Sequence, residues 1–595
     1  MTLVDVIIFA NKQRTNVVNT NTFFTAFGFF WQTEQNKQNK TKYRQTPQTL
    51  HIQKNKPRTK KQQQQQQRKS VMFATKDELK QAIRTYIQTQ GVDCPYGPIG
   101  TWDVSNITDM SNLFFNCRSF NEPLPWDVSH VVNMGCMFYG CLSFNQPLPW
   151  NVSNVVNMSS MFVGCRNFNQ LLPWDVSHVT NTANMFFQCT AFDQPLPWNV
   201  SNVVNMHGMF SGCHTFNQPL LWDVSTAVDM STLFQDCRAF NQPLLWNVSN
   251  VADMSLMFHG CHAFNQSLLW DVSHVVNMCG MFSKCHTFNQ SLPWNPSRVT
   301  DMARMFEGCH AFNQPLPWDV SNAVDMCFMF QGCLAFNQPL PWNVANVTDM
   351  CFMFQGCLAF NQPLPWNVAN VTDMQCMFFG CTVFNQPLPW NVANVTDMSE
   401  MFGRCLAFNQ PLPWDVSNVQ YMYNMFGRCP TFNQPLPWNV SKVVNMSCLF
   451  QNCHAFNQQL PWNVANVRDM SFLFSGCYAF NQPLPWDVSY VVNMFCLFQD
   501  CYAFNQPLAT WNVSRVTNMK YLFSGCHAFD QPLDTWTVGH LNADQMEHMF
   551  HNCRDFCQDV SAWEQHNPKL TGHASVLFTG NCLQHDFGGC DYFCK

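Results

Sequence analysis

A cysteine recurs every 24 residues from Cys117 to Cys501, and then at Cys526 and Cys553. A period of this size marks a solenoid, in which each repeat position becomes a column running from coil to coil. A column of thiols invites redox or metal chemistry. Stacked coils about 4.8 Å apart bring Cα atoms within disulfide range, yet side chains in one column point in parallel. Their Cβ atoms are then too far apart to bridge without distortion. The ladder is therefore expected to be reduced and buried, with each cysteine serving as a small hydrophobe at a tight corner. Further cysteines (Cys136, Cys279, Cys327, Cys351, Cys376, Cys448, Cys496) fall at scattered coils with no zinc-type CxxC pairing. The C-terminal group Cys553, Cys557, Cys582, Cys590 and Cys594 is irregularly spaced. It reads as a disulfide-stapled or metal-bound cap, with free thiols in a loose tail as the alternative. His262, His286 and His310 occupy one column on three consecutive coils and are the candidate metal ligands. The same column accepts Arg118, Leu142, Thr190, Pro430 and Tyr502, as a tolerant surface position would, so no metal or cofactor is expected. There is no Gly-rich phosphate loop, no nucleophile elbow and no acid pair standing apart from the repeat. These absences argue against an enzyme.

The columns depend on the repeat that stacks them. Trp342 to Pro365 differs from the preceding block, Trp318 to Pro341, only at Asp319/Asn343, Ser321/Ala345, Ala323/Val347 and Val324/Thr348. Trp recurs every 24 residues from Trp102 to Trp486, then at Trp511, Trp536 and Trp563. Within a coil, Trp126 and Val128 alternate with Asp127, which predicts a short strand over Trp126–Ser129. The strand is started after Pro125, because that proline lacks a ladder donor. Val131, Met134, Met137 and Phe138 form one stripe of a short helix, with Ser129 placed to cap it. The residue before the cysteine is commonly Gly, as at Gly140, or else Asn116 or Asp236, which suits a left-handed helix stop. The expected fold is an α/β solenoid of leucine-rich-repeat style, about twenty coils of 24–27 residues with short parallel strands and short helices. A parallel β-helix is the alternative. The Asn column (Asn121, Asn145, Asn169, Asn217) admits almost nothing else except Asp193 and Asp530, which points to a stacked amide ladder at a buried corner.

Outside the array, residues 1–71 are Asn/Gln-rich and carry about +11 of charge, so they read as a disordered basic tail. The rest of the chain then carries about −17, which disfavours nucleic acid as a partner for the repeats. Thr75 and Glu78 form a capping box ahead of Leu79, Ile83, Tyr86 and Ile87, and Gly91 suits the stop. Residues 72–101 are thus an N-terminal helical cap, 102–563 the solenoid, and 564–595 a Cys-containing cap or tail. No apolar run is long enough to span a membrane, and residues 1–14 lack the pattern of a signal peptide.

The coil consensus WDVSNVTDMxxMFxGCxxFNQPL resembles the BspA-like leucine-rich-repeat surface-protein repeat, which is also found in Mycoplasma surface lipoproteins. The match runs from Trp102 to about Trp563. The resemblance implies a solenoid with a surface or adhesive role at the cell surface or outside it, and no catalytic residues. This chain departs by lacking a lipobox or wall-anchor signal, by having Cys where Ala is usual, and by its shorter Pro-Trp coil. Variation concentrates in the two residues after the first Met, the residue after Phe and the residue after Cys, as in Gly135-Cys136, Tyr139 and Leu142. The expected function is a non-enzymatic scaffold that binds an unknown protein or a repetitive surface ligand. The competing expectation is a metal- or redox-responsive protein using the Cys and His columns.

Overall fold

The computed structural model describes residues 71–578, so the basic tail and Cys582, Cys590 and Cys594 lie outside the described residues. The chain opens with Val71–Phe73 paired in parallel to Asp103, through the Phe73 amide to the Asp103 carbonyl (3.1 Å) and the Asp103 amide to the Val71 carbonyl (2.9 Å). Helix α1, Lys76–Gln88, follows. Its capping box forms as the sequence predicts: Thr75 accepts from the Glu78 amide, and Glu78 accepts from the Thr75 amide. Leu79, Ala82 and Ile83 are buried against the first coil, and Gly91 ends the turn at φ 72°. The Tyr86 and Phe73 rings pack on Trp102 and close the end of the core.

Each coil is built from turns. Val131 donates to Val128, and Asp127 accepts from the Ser129 amide (3.0 Å), so the chain reverses after the tryptophan. Next comes a ribbon, residues 133–141 in this coil. The amides of Met134, Cys136, Phe138 and Gly140 donate to carbonyls of the following coil at 2.7–2.9 Å. The alternating amides of Met137, Tyr139 and Cys141 donate three residues back within the coil. Every amide from Gly135 to Cys141 is therefore paired, Gly135 through the Asn133 side chain (3.0 Å).

The helix expected over Val131–Phe138 is accordingly replaced by overlapping turns. An α-helix needs each amide for its own i−4 carbonyl, whereas here every second amide points along the stack. Left-handed residues enforce this at two positions per coil, Cys136 (φ 56°) and Gly140 (φ 73°). Apolar spacings of three and four fit both arrangements. The strand also falls elsewhere. Among the described residues parallel pairing is confined to single-residue bridges, and these run through Asn133 and its equivalents from Asp109 to Asn518. Trp126–Ser129 alternates in burial but forms no bridge.

The core consists of the expected columns. Trp, Leu, both Val, both Met, both Phe and Cys, or the residues that replace them, are buried in almost every coil, Cys117 of the first coil being only partly so. Trp150 and Trp174 stack at 6.4 Å and 3°, Phe138 and Phe162 at 5.6 Å, and Phe144 and Phe168 at 5.9 Å. Short helices α2, Ser561–His566, and α3, Ala574–Leu577, seal the other end. There Trp563 continues the tryptophan column, and the Asn567 side chain donates to the Val538 and Leu541 carbonyls. No helix of the described residues is long and apolar enough to cross a membrane.

Candidate functional site

The two edges of a coil are held in different ways. At the tryptophan edge, side chains make the coil-to-coil bonds. Trp150 Nε1 donates to the Leu124 carbonyl (2.8 Å), and the same bond recurs in coil after coil. Asn121 Oδ1 accepts from the Asn145 amide, and Asn145 Oδ1 accepts from both the Asn169 amide and Gln170 Nε2. The asparagine ladder is present, at a half-buried corner. Its oxygen only accepts here, so aspartate can replace it: Asp193 Oδ1 receives the Asn217 amide (2.9 Å). At the ribbon edge, backbone amides and carbonyls join every coil to the next, and side-chain joins occur only between particular coils, such as Asn157 Nδ2 to Asn133 Oδ1 (3.0 Å) and Gln331 Nε2 to Gln355 Oε1.

The ribbon is also the tighter edge. Outward-facing rings of successive coils lie close there, 4.6 Å apart in Phe328–Phe352 and 4.7 Å in Phe115–Tyr139, against 6.4 Å in the tryptophan column. The variable residues are thus crowded along this edge.

The sequence-derived site residues fall as follows. His262, His286 and His310 do come together, as parallel stacked rings 4.6 Å apart. Imidazole lone pairs lie in the ring planes, so three stacked rings aim in parallel and do not converge on one point. Burial, then the two flanking histidines, lowers the His286 pKa. From Cys141 onward the thiols of the cysteine column donate to a phenylalanine carbonyl of the preceding coil, such as Cys357 to Phe330 (3.0 Å). Burial pushes the Cys429 thiol up to about 12 and holds Cys189, Cys237 and Cys357 well above the ordinary thiol range. These thiols are fully buried and committed to carbonyls, so the ladder offers no open position at which a ligand or substrate could approach them. Cys553 belongs to this ladder, donating to the Phe523 carbonyl (2.8 Å), and not to the C-terminal group. Cys557 is disulfide-bonded.

Three features of the ribbon escaped the sequence reading. Asp301, Asp325, Asp349, Asp373 and Asp397 stack on five consecutive coils, each bridged to the next. One oxygen of each accepts from the amide two residues on, as Asp325 does from Cys327 and Asp349 from Cys351 (both 2.9 Å). Among the described residues no lysine or arginine pairs with any of the five. Burial, with neighbouring aspartates adding to it, raises the pKa of Asp301 and Asp373. Second, Phe328 and Phe352 stack beside this column, with the Arg304 guanidinium 4.0 Å above Phe328. Third, Cys327 Sγ, Cys351 Sγ and an Asp349 carboxylate oxygen all lie within 4.8 Å of one another. The 24-residue separation of Cys327 and Cys351, with an aspartate two residues before each, was the available signal.

Seven overlapping stretches, residues 90–196, 170–269, 244–341, 316–413, 364–462, 388–485 and 458–563, match the family described as "Mycoplasma protein of unknown function, DUF285". The chain belongs to this family. The DUF285 match covers the array almost from end to end, in line with the Mycoplasma-type repeat read from the consensus. No curated protein matches the chain. Among solved structures it is similar to a plant peptide hormone receptor, RGFR1 in complex with RGF2, at 8% identity, covering 80% of this chain and 81% of that one with a TM-score of 0.19. It is similar as well to the leucine-rich-repeat ectodomain of the receptor kinase GASSHO1/SCHENGEN3 from Arabidopsis thaliana (10% identity, 73% and 61% covered, TM-score 0.18). A third is the Toll–Spatzle complex of Drosophila (9% identity, 76% and 60% covered, TM-score 0.19).

Proposed function

We propose that this DUF285 array is a non-enzymatic scaffold that binds a protein partner along its ribbon edge, in an adhesion-like role. One observation carries the reading: side chains vary from coil to coil where backbone bonds join every coil, and hardly vary where the recurring joins are made by Trp, Asn and Gln side chains. A join that does not depend on the side chain allows variation, and the ribbon gathers the varied residues into a continuous strip. Between residues 301 and 404 that strip offers carboxylates, the Phe328–Phe352 stack, Phe379 and Arg404, the mixture of aromatic and charged groups that protein interfaces favour.

Cross-linking in the protein's own cells tests the proposal. The intact chain is compared with one in which Phe328→Ser, Phe352→Ser and Phe379→Gly introduce residues already present in those columns at Ser160 and Gly403. Loss of a cross-linked partner in the variant supports ribbon binding. A partner retained in the variant, but lost gradually as coils are deleted, would place binding on the uniform tryptophan edge and contradict the proposal.

A further inference from the structure

The ribbon holds a set of metal-ligating atoms distinct from both columns the sequence singled out. Cys327 and Cys351 are equivalent residues of successive coils, so their thiols project side by side from the half-buried ribbon. The backbone fixes that relation, since Phe328 donates to the Cys351 carbonyl at 2.9 Å. Asp349 adds a carboxylate oxygen to the pair, with all three ligand atoms within 4.8 Å. One Asp349 oxygen accepts from the Cys351 amide (2.9 Å), which orients the carboxylate. A tetrahedral zinc site needs sulfur–sulfur separations of about 3.8 Å, reached here by side-chain rotations of about 1 Å. Asp325 and Asp373 flank the trio in the same column, so the surroundings are anionic. The one guanidinium nearby in sequence, Arg304, is engaged with Glu307 (3.0 Å) and the Phe328 face.

We propose that Cys327, Cys351 and Asp349 bind one borderline divalent cation of the zinc type, with a fourth position open to water. Two thiolates and a carboxylate favour zinc or cobalt over calcium or magnesium, which prefer all-oxygen shells. On binding, the two thiol protons leave to solvent. The site is independent of the partner-binding reading, because it needs only the fold of coils 318–365.

The repeat supplies its own conservative variants. Serine occupies the Cys351 column at Ser111, Ser159 and Ser399, and asparagine occupies the Asp349 column at Asn133 and Asn157, all on the same backbone. Cys327→Ser/Cys351→Ser and Asp349→Asn should therefore fold, which the metal-free melting temperature checks. The reduced full chain is titrated with Zn²⁺ and, for spectroscopy, with Co²⁺. The intact chain is expected to bind one more equivalent than the double-serine variant, with a thiolate-to-cobalt charge-transfer band that the variant lacks. Asp349→Asn should weaken binding at least about tenfold. Zn²⁺ should raise the melting temperature of the intact chain more than that of the double variant. Equal stoichiometry and equal bands in intact and double-variant chains would overturn the proposal. So would a Cys327–Cys351 disulfide in the protein isolated from its own cells.

Discussion

The ribbon edge and the tryptophan edge belong to the same coil and repeat the same number of times, yet one varies freely and the other hardly at all. The difference lies in which atoms join the coils. Along the tryptophan edge Trp Nε1, Asn Oδ1 and Gln Nε2 carry the joins, so replacing a side chain removes a bond. Along the ribbon, amides 350, 352, 354 and 356 donate to carbonyls of the next coil whatever side chains they bear. A repeat protein can thus hold its architecture with one edge and diversify with the other. Two left-handed positions per coil make this possible by turning every second amide along the stack.

The largest effect should come from the core, which both edges share. Phe354 packs on Phe360 at 4.3 Å and stacks between Phe330 and Phe378, so Phe354→Ala should cost about 3–5 kcal/mol in urea unfolding. The edges should then separate. Asn337→Ala orphans the Asn361 amide, leaves Gln362 Nε2 only the carbonyl of residue 337 (3.1 Å), and should cost about 1–3 kcal/mol. Asn337→Asp keeps the acceptor and should cost less than about 1 kcal/mol. On the ribbon, Gln375→Ser, which copies Ser159 and Ser399, should stay within about 0.5 kcal/mol. A ribbon substitution as costly as Asn337→Ala would break the comparison.

A finer contrast lies between two sets of aspartates. Those after the tryptophan, such as Asp127 and Asp319, have their pKa lowered chiefly by the side-chain and amide hydrogen bonds of the following serine. Their contribution is present at neutral pH and is lost as pH falls through the lowered value. Asp373 on the ribbon is raised by burial, so its charged form opposes folding. That penalty is absent below the ordinary value of 3.8 and grows as pH rises through the raised one. Asp373→Asn should therefore be more stable than the parent at pH 7 by about 0.5 kcal/mol or less, because the group is half exposed. The gain should vanish in mild acid, which melting curves at several pH values would follow.

Much of the architecture was legible from residue types. Trp, Phe and Met at fixed intervals announced buried columns, Thr75 and Glu78 announced the cap, and glycine at 140 announced a left-handed residue. The helix was misread because a stripe at Val131, Met134, Met137 and Phe138 satisfies consecutive turns as well as α-helical periodicity. A glycine before cysteine closes either one. The second left-handed site was masked because residues such as Cys136, Thr232 and Phe328 share it with Asn112, Gly208 and Gly280, so the glycine and asparagine signal is diluted across the coils. The join through Trp Nε1 was hidden as well, since tryptophan reads first as a core residue. The Cys327–Asp349–Cys351 grouping needed the exact register between coils, which spacing suggests but only coordinates establish.

The division of labour between the edges is tested most directly by urea unfolding of two chains with equal numbers of substitutions. One carries residues exchanged among coils at four ribbon positions. The other carries Asn→Ala at four positions of the asparagine ladder. The ribbon chain should keep the parent's midpoint and slope, and the ladder chain should unfold at markedly lower urea. Equal losses in the two chains, or a greater loss in the ribbon chain, would contradict the claim that backbone bonds are the recurring joins of the variable edge.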